Sequence, residues 1–266
     1  ETAFGHIAAK KMFNNATLLS FKNFEETYHA VENGSCDVAI LPIENSYAGD
    51  VGTVMDLIFS GSLFINQILD LDVVHHLIGT VDASIDTIKT VYSHPQALSQ
   101  CSDYLKIHHF KEVEYANTAL AAKEIAKLND NTIASIASVD TAELYGLKVI
   151  ESNINTTRNN TTRFVALSRS QNLPDALTKM GEHFILVFTV KNEAGALANT
   201  LNIIGAHGFN MRTLRSRPMK ELLWNYYFYV ELDGNINSED GKDMLIQLRT
   251  VCDRLKLVGT YRSNML

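Results

Sequence analysis

Apolar and polar positions along the chain switch repeatedly between strand-like runs and helical spacing. Cys36–Ile43 is near-continuous hydrophobic and β-branched, the pattern of a strand covered on both faces, and it stops abruptly at Glu44-Asn-Ser46. Helical spacing then resumes over 51–59, so the polar cluster is predicted to sit in a strand-to-helix turn. Before it, 6–13 reads as a helix, 17–21 as a short strand and 24–31 as an amphipathic helix closed by Asn33-Gly34. After it, 63–79 is a long extended apolar segment. Strand-like 89–92, 110–115 and 132–136 then alternate with helical 97–105, 118–128 and 141–145, which predicts a largely parallel sheet. A loop over 152–162 leads into a strand over 163–167. Ser168 to Gly181, with Pro174, has the composition of a linker. Beyond it, strands over 183–190, 210–216, 222–232 and 257–262 and helices over 194–206 and 238–255 take the order βαββαβ, the ferredoxin-like pattern. In Trp224-Asn-Tyr-Tyr-Phe-Tyr229 both alternating faces are apolar, and helices on one side of such a sheet cover one face. The other face predicts association with a second subunit, with a dimer as the minimum and a tetramer as the alternative.

With 266 residues and 46% hydrophobic content the chain has room for two packed domains. A net charge of −7 argues against a nucleic-acid partner, so an anionic substrate has to be held by local cations and backbone donors. Cys36, Cys101 and Cys252 are far apart and in no metal or redox spacing, which predicts a reducing compartment, the cytoplasm by default, and no metal site. No apolar run approaches the roughly 20 residues of a membrane span, and no signal peptide opens the chain.

The candidate chemistry lies in three polar stretches. Turns at the carboxyl ends of strands in α/β sheets are where ligands bind, so Glu44, Asn45 and Ser46 either face a ligand or cap the neighbouring strand and helix. Ser93-His-Pro-Gln96 is a second turn of this kind, with Pro95 at a helix start where its missing N–H costs nothing. His94 is either a structural histidine or a base. The loop over 152–162 holds four Asn and four Thr among its eleven residues and delivers Thr162-Arg-Phe164 at the start of a strand. Two polar turns facing each other would form a cleft between lobes.

Pro42-Ile-Glu-Asn-Ser46, Ser93-His-Pro-Gln-Ala97 and Thr162-Arg-Phe164, in this order and spacing, resemble the three signature motifs of the prephenate dehydratase family. The resemblance implies an α/β fold: a two-lobed periplasmic-binding-protein-like catalytic domain over 1–181, with crossovers near 70–80 and 150–165, and then a ferredoxin-like ACT domain over 182–266. It implies conversion of prephenate to phenylpyruvate without a cofactor. Glu44, Asn45, Ser46, Ser93, His94, Gln96, Thr162, Arg163 and Phe164 become the catalytic candidates. In this reading Thr162 serves the departing hydroxyl, Arg163 and the helix starts after Ser46 and Ser93 hold carboxylates, and Glu44 or His94 supplies the proton. Family members begin with a strand and a Gly-rich turn; here Glu1-Thr-Ala-Phe-Gly-His6 remains, with Ala3 where a hydroxyl or small polar residue is usual.

Gly195-Ala-Leu197, Gly208-Phe-Asn210 and Arg215-Ser-Arg-Pro218 resemble the effector motifs of ACT domains, which implies phenylalanine binding at a subunit interface. The candidates there are Gly195, Ala196, Leu197, Asn210, Met211, Arg215 and Ser216. The family strand usually reads Glu-Ser-Arg-Pro, so Arg215 reverses a charge, and Arg212-Thr213 replaces Thr-Lys. Arginine at 215 would repel a cationic amino group unless an acidic side chain pairs with it. Arogenate as substrate, or an amino-acid sensor without catalysis, are the rival readings.

Overall fold

The computed structural model describes residues 4–157, 159–177, 182–219 and 225–262. Ala3, Trp224 and the end of the expected linker lie outside them. The elements run α1 (Phe4–Met12), α2 (Phe24–Glu32), β1 (Val38–Asn45), β2 (Gly49–Asp50), α3 (Gly52–Ser60), β3 (Phe64–Asp72), β4 (His76–Gly79) and β5 (Thr90–Ser93). Then come α4 (Pro95–Gln100), α5 (Ser102–Ile107), β6 (Lys111–Glu114), α6 (Thr118–Leu128), β7 (Ile133–Ala137), α7 (Val139–Leu144), β8 (Lys148–Glu151) and β9 (Thr161–Ser168). The chain ends in β10 (Glu182–Thr189), α8 (Ala196–Ala206), β11 (Met211–Pro218), β12 (Tyr226–Asp233), α9 (Glu239–Val251) and β13 (Arg254–Arg262).

The chain divides into two compact units, one taking in the described residues of 1–20, 44–49 and 70–164, the other those of 21–43, 50–69 and 165–266. The division therefore does not fall at the linker; the chain crosses it between α1 and α2 and inside β1, β2, β3 and β9.

The first unit holds a five-stranded sheet in the order β6-β5-β7-β4-β8. Around β5 the pairing is parallel, as the β–α alternation requires, but β4 runs antiparallel to both β7 and β8, so the sheet is mixed rather than largely parallel. Leu77, Val91, Leu98, Ala134 and Ile136 form its core. α6 shows why sequence marks its ends well: Asn117 accepts from Leu120 N at 2.7 Å, and Asn129 closes it in the left-handed region at φ 50°. The helix expected over 97–105 is broken at Cys101. Thr156 intrudes there, its N–H donating to Gln100 O at 2.8 Å and its hydroxyl accepting from Asp103 N at 3.2 Å. A loop residue has captured a carbonyl that a continuous helix would use for itself. The strand expected over 17–21 is absent, and Leu19 lies exposed without a ladder.

The second unit is dominated by an eight-stranded sheet in the order β11-β12-β10-β13-β3-β9-β1-β2. Its C-terminal part has the element order βαββαβ with antiparallel neighbours β11-β12-β10-β13, the ferredoxin-like arrangement. All eight residues of β10 are buried. One face, with Phe184, Leu186, Phe188, Val230 and Leu232, packs with Ile204 of α8 and with Met244 and Leu248 of α9. The other, with Ile185, Val187, Tyr227, Tyr229 and Val258, packs with Val54, Met55, Ile58 and Phe59 of α3. This corrects the argument for a dimer from Tyr226–Tyr229, because the second apolar face is covered by the chain's own helix. β13 also joins β3 in parallel at Gly259 and Ile65. A Cβ on Gly259 would collide with the backbone carbonyl of Ile65, so this approach requires glycine.

Candidate active site

Ala39, Leu41 and Ile43 anchor β1 through one buried face and deliver Asn45 at its end. The strand-to-helix turn expected after it does not form. The chain folds back as a hairpin into β2, closed by Val51 N donating to Ile43 O at 2.9 Å, and α3 starts at Gly52 without a side-chain cap. Asn45 and Ser46 therefore cap no helix, and no helix N-terminus directly follows Ser46 to hold a carboxylate.

Asn45 instead organises the turn and reaches across it. Its Oδ1 accepts from Tyr47 N at 3.0 Å and Ala48 N at 2.8 Å. Two backbone donors on one oxygen fix which way the amide points. Its Nδ2 then donates to Thr162 Oγ1 and to Asn160 Oδ1, both at 2.9 Å. All three side chains are buried. Ser46 clasps the same loop: its Oγ donates to Asn159 O and accepts from Thr161 N, and its N–H donates to Thr161 O, each at 2.9 Å.

β9 separates Thr162 from Arg163. Successive side chains on a strand point to opposite faces, and burial alternates accordingly, with Thr162 and Phe164 buried and Thr161 and Arg163 half-buried. On that second face Arg163 makes a two-pronged bond to Asp70, Nε to Oδ1 at 2.8 Å and Nη2 to Oδ2 at 3.1 Å, and Thr161 Oγ1 donates to Asp72 at 2.8 Å. Arg163 thus lies on the opposite face of β9 from Thr162, with its fork on Asp70.

Ser93 is buried at the end of β5 and its hydroxyl donates to Ile136 O at 2.7 Å. His94 caps α4, its Nδ1 accepting from Gln96 N at 3.2 Å, which places the ring proton on Nε2 in the neutral form. Gln96 is exposed and Glu44 half-buried. The structure so gathers Asn45, Ser46, Asn160 and Thr162, while Ser93, His94 and Gln96 form a turn of their own. Sequence reasoning missed Asn160, whose Oδ1 accepts from the Asn45 amide; its type and spacing do not set it apart from the other three asparagines of the loop.

Among the effector candidates, Gly195 caps α8 in the left-handed region at φ 83°, with Ala196 and Leu197 in the first turn. Asn210 Nδ2 donates to Asp233 Oδ2 at 2.8 Å, and Asp233 also meets His183 at 2.9 Å and Arg212 at 3.4 Å. Burial raises the Asp233 pKa, but the Asn210 amide, Arg212 and His183 outweigh it and hold the carboxyl below its ordinary range. Met211 and Ser216 are exposed on β11. Arg215 Nη1 lies 2.9 Å from Asp50 Oδ1, so it has the acidic partner that removes the expected repulsion. Among the described residues no cluster of His, Cys, Asp or Glu could hold a metal ion, and no helix is long and apolar enough to cross a membrane.

A family model for prephenate dehydratase matches residues 1–172. The bifunctional chorismate mutase/prephenate dehydratase of Buchnera aphidicola subsp. Acyrthosiphon pisum is 33% identical over 271 residues, covering 98% of this chain and 69% of its own length. Among solved structures, GqqA, a novel type of quorum quenching acylase, aligns with TM-score 0.89 at 27% identity over 99% of this chain and 95% of its own. Prephenate dehydratase from Arthrobacter aurescens in complex with L-Phe aligns with TM-score 0.88 at 25% identity over 98% of this chain and 87% of its own. The match over most of the sequence, which takes in the polar stretches around Asn45, Ser93 and Thr162, establishes that this chain belongs to the prephenate dehydratase family of lyases.

Proposed function

We propose that the protein converts prephenate to phenylpyruvate, with Thr162 acting on the departing hydroxyl. The observation that carries this is the 2.9 Å bond from Asn45 Nδ2 to Thr162 Oγ1. An amide N–H only donates, so the threonine oxygen accepts and its own proton is left to point at a ligand. In prephenate the ring carboxylate leaves as carbon dioxide, its bonding pair enters the ring, and the C4 hydroxyl takes up a proton and departs as water. Aromatisation drives the step. A threonine is a poor acid, so it donates a hydrogen bond to the leaving oxygen while Glu44 or the His94 turn resupplies the proton. Gln96 and the His94 Nε2–H are donors for the carboxylates in this reading, and Arg163 braces β9 through Asp70. Acylase activity, as named for GqqA, has less support here, because the Thr162 hydroxyl is bonded by an amide rather than by a base.

In the same reading the catalytic part is two-lobed and spans 1–181, and 182–266 is an ACT domain that binds phenylalanine. The ferredoxin-like strand order and the L-Phe complex of the Arthrobacter aurescens relative support this. Oligomerisation would use β11, the outer strand of the eight-stranded sheet, where Met211 and Leu214 are exposed. Incubation with prephenate and separately with arogenate, and then identification of the product, tests the assignment. Phenylpyruvate formed from prephenate at the higher kcat/KM supports it, phenylalanine formed preferentially from arogenate replaces the substrate, and turnover of neither leaves the sensor reading.

A further inference from the structure

Strand β11 carries Arg215 and Arg217 on one side, both half-buried, and both meet acidic residues of the segment 50–56. Arg215 pairs with Asp50 at 2.9 Å, and its guanidinium lies 6.0 Å above the ring of Tyr229, the residue opposite it on β12. Arg217 Nε donates to Asp56 at 3.3 Å, and Tyr227 donates to the same carboxylate at 3.0 Å. Tyr227 in turn stacks on Phe59 with ring centroids 4.2 Å apart. Between the two pairs lies Gly52, so close to Arg217 that a Cβ there would come within 2.6 Å of Nη2. The segment is thus gripped at both ends, at the last residue of β2 and in the second turn of α3.

Asp50 is the last residue of the hairpin whose tip Asn45 organises, and that hairpin is closed next to it by the Val51 N to Ile43 O bond. We propose that Arg215 is a positioning residue for the dehydratase: by holding Asp50 it fixes the β1–β2 hairpin and so the Asn45 amide that orients Thr162. A two-residue strand has little pairing of its own to hold it, so an ion pair at its end sets where the turn sits. Arg215 does not act on Asn45 or Thr162 directly; its effect passes along the hairpin backbone. The charge reversal relative to the Glu-Ser-Arg-Pro pattern then has a purpose in this chain, since a glutamate at 215 would face Asp50.

The turnover arm of the test rests on the proposed dehydratase function, and a second arm does not. Arg215→Gln, Asp50→Asn and the exchanged pair Asp50→Arg with Arg215→Asp are compared with the wild type by steady-state kinetics on prephenate and by hydrogen exchange over 44–51. Both single variants should lower kcat by roughly 3- to 10-fold with KM held within about twofold, the range of a residue that acts through others. The Tyr47 and Ala48 amides should exchange severalfold faster in both, and the exchanged pair should recover most of each loss. Unchanged exchange at those two amides in either single variant overturns the proposal, as does an exchanged pair no better than the singles. A wild type without turnover would remove the dehydratase reading, and the exchange measurement would still decide whether Arg215 holds the turn.

Discussion

At the scale of single residues the site depends on the polarity of one hydrogen bond. Asn45→Asp keeps size and shape, and its oxygens can still accept from Tyr47 and Ala48, but it no longer donates to Thr162. The threonine would then donate to the carboxylate and its proton would be lost to the substrate. Asn45→Asp and Thr162→Val should each lower kcat by about 100-fold or more, with KM changed far less, the pattern of an interaction made in the transition state. A Thr162→Val enzyme with near-normal kcat in steady-state assays would remove the hydroxyl from the mechanism. Arg163→Lys is expected to leave KM within about twofold and to lower stability by about 1 kcal/mol, since lysine cannot reproduce the two-pronged bond to Asp70. A strong rise in KM in the folded variant would instead put Arg163 on the substrate. Asn45 and Thr162 were legible because their motifs are local in sequence. The separation of Arg163 from Thr162 follows from strand alternation, but motif reading treats neighbours in sequence as neighbours in space. Asn160 could not be singled out, because which of four asparagines in a loop meets the strand depends on the loop's path.

At the scale of elements, most helices and strands were readable from periodicity, and the misses share a cause. The break between α4 and α5 comes from Thr156, and the hairpin after Asn45 from an Asx turn leading into two residues of β2. A distant partner in the first case and a two-residue strand in the second leave no periodic signal. Element joints can also be charged. Glu32 at the end of α2 accepts from Ser62 N at 3.0 Å and Ser62 Oγ at 2.8 Å, and it meets His29 at 2.8 Å. Burial alone would raise its pKa, yet the bonds from Ser62 and His29 prevail and hold it below the ordinary 4.5. A carboxyl depressed in the folded state contributes stability above its unfolded value, and that contribution is lost as pH falls through the folded one. Glu32→Gln should therefore cost about 1 kcal/mol at pH 7 and progressively less as pH falls below the ordinary 4.5, measured by urea unfolding at pH 7 and at an acidic pH. An equal cost at both values would show that the joint does not depend on the charge.

At the scale of the whole molecule, the βαββαβ order of the C-terminal part was legible, but its dependence on the rest of the chain was not. Alternation in β12 showed two apolar faces; it could not show that α3, more than 150 residues earlier, covers one of them. Ile185, Val187, Tyr227, Tyr229, Val258 and Tyr261 share one buried cluster with Val54, Met55, Ile58 and Phe59, as well as with Val165 and Leu167 of β9. Each side of that cluster is the solvent shield of the other. At roughly 25 cal/mol per Å² of apolar surface, uncovering several large side chains on either side costs as much as a typical domain's entire stability. A chain cut after residue 177 should therefore lose the cooperative thermal transition of the full protein and associate through its bared α3 face. The complementary piece from residue 182 should not fold as an independent ferredoxin-like domain. Differential scanning calorimetry and light scattering on both pieces and on the intact chain test this. If the N-terminal piece melted cooperatively at the temperature of the full protein and stayed monomeric, the shared cluster would be dispensable, and the C-terminal part would be a separable module joined by β13 and β3 alone.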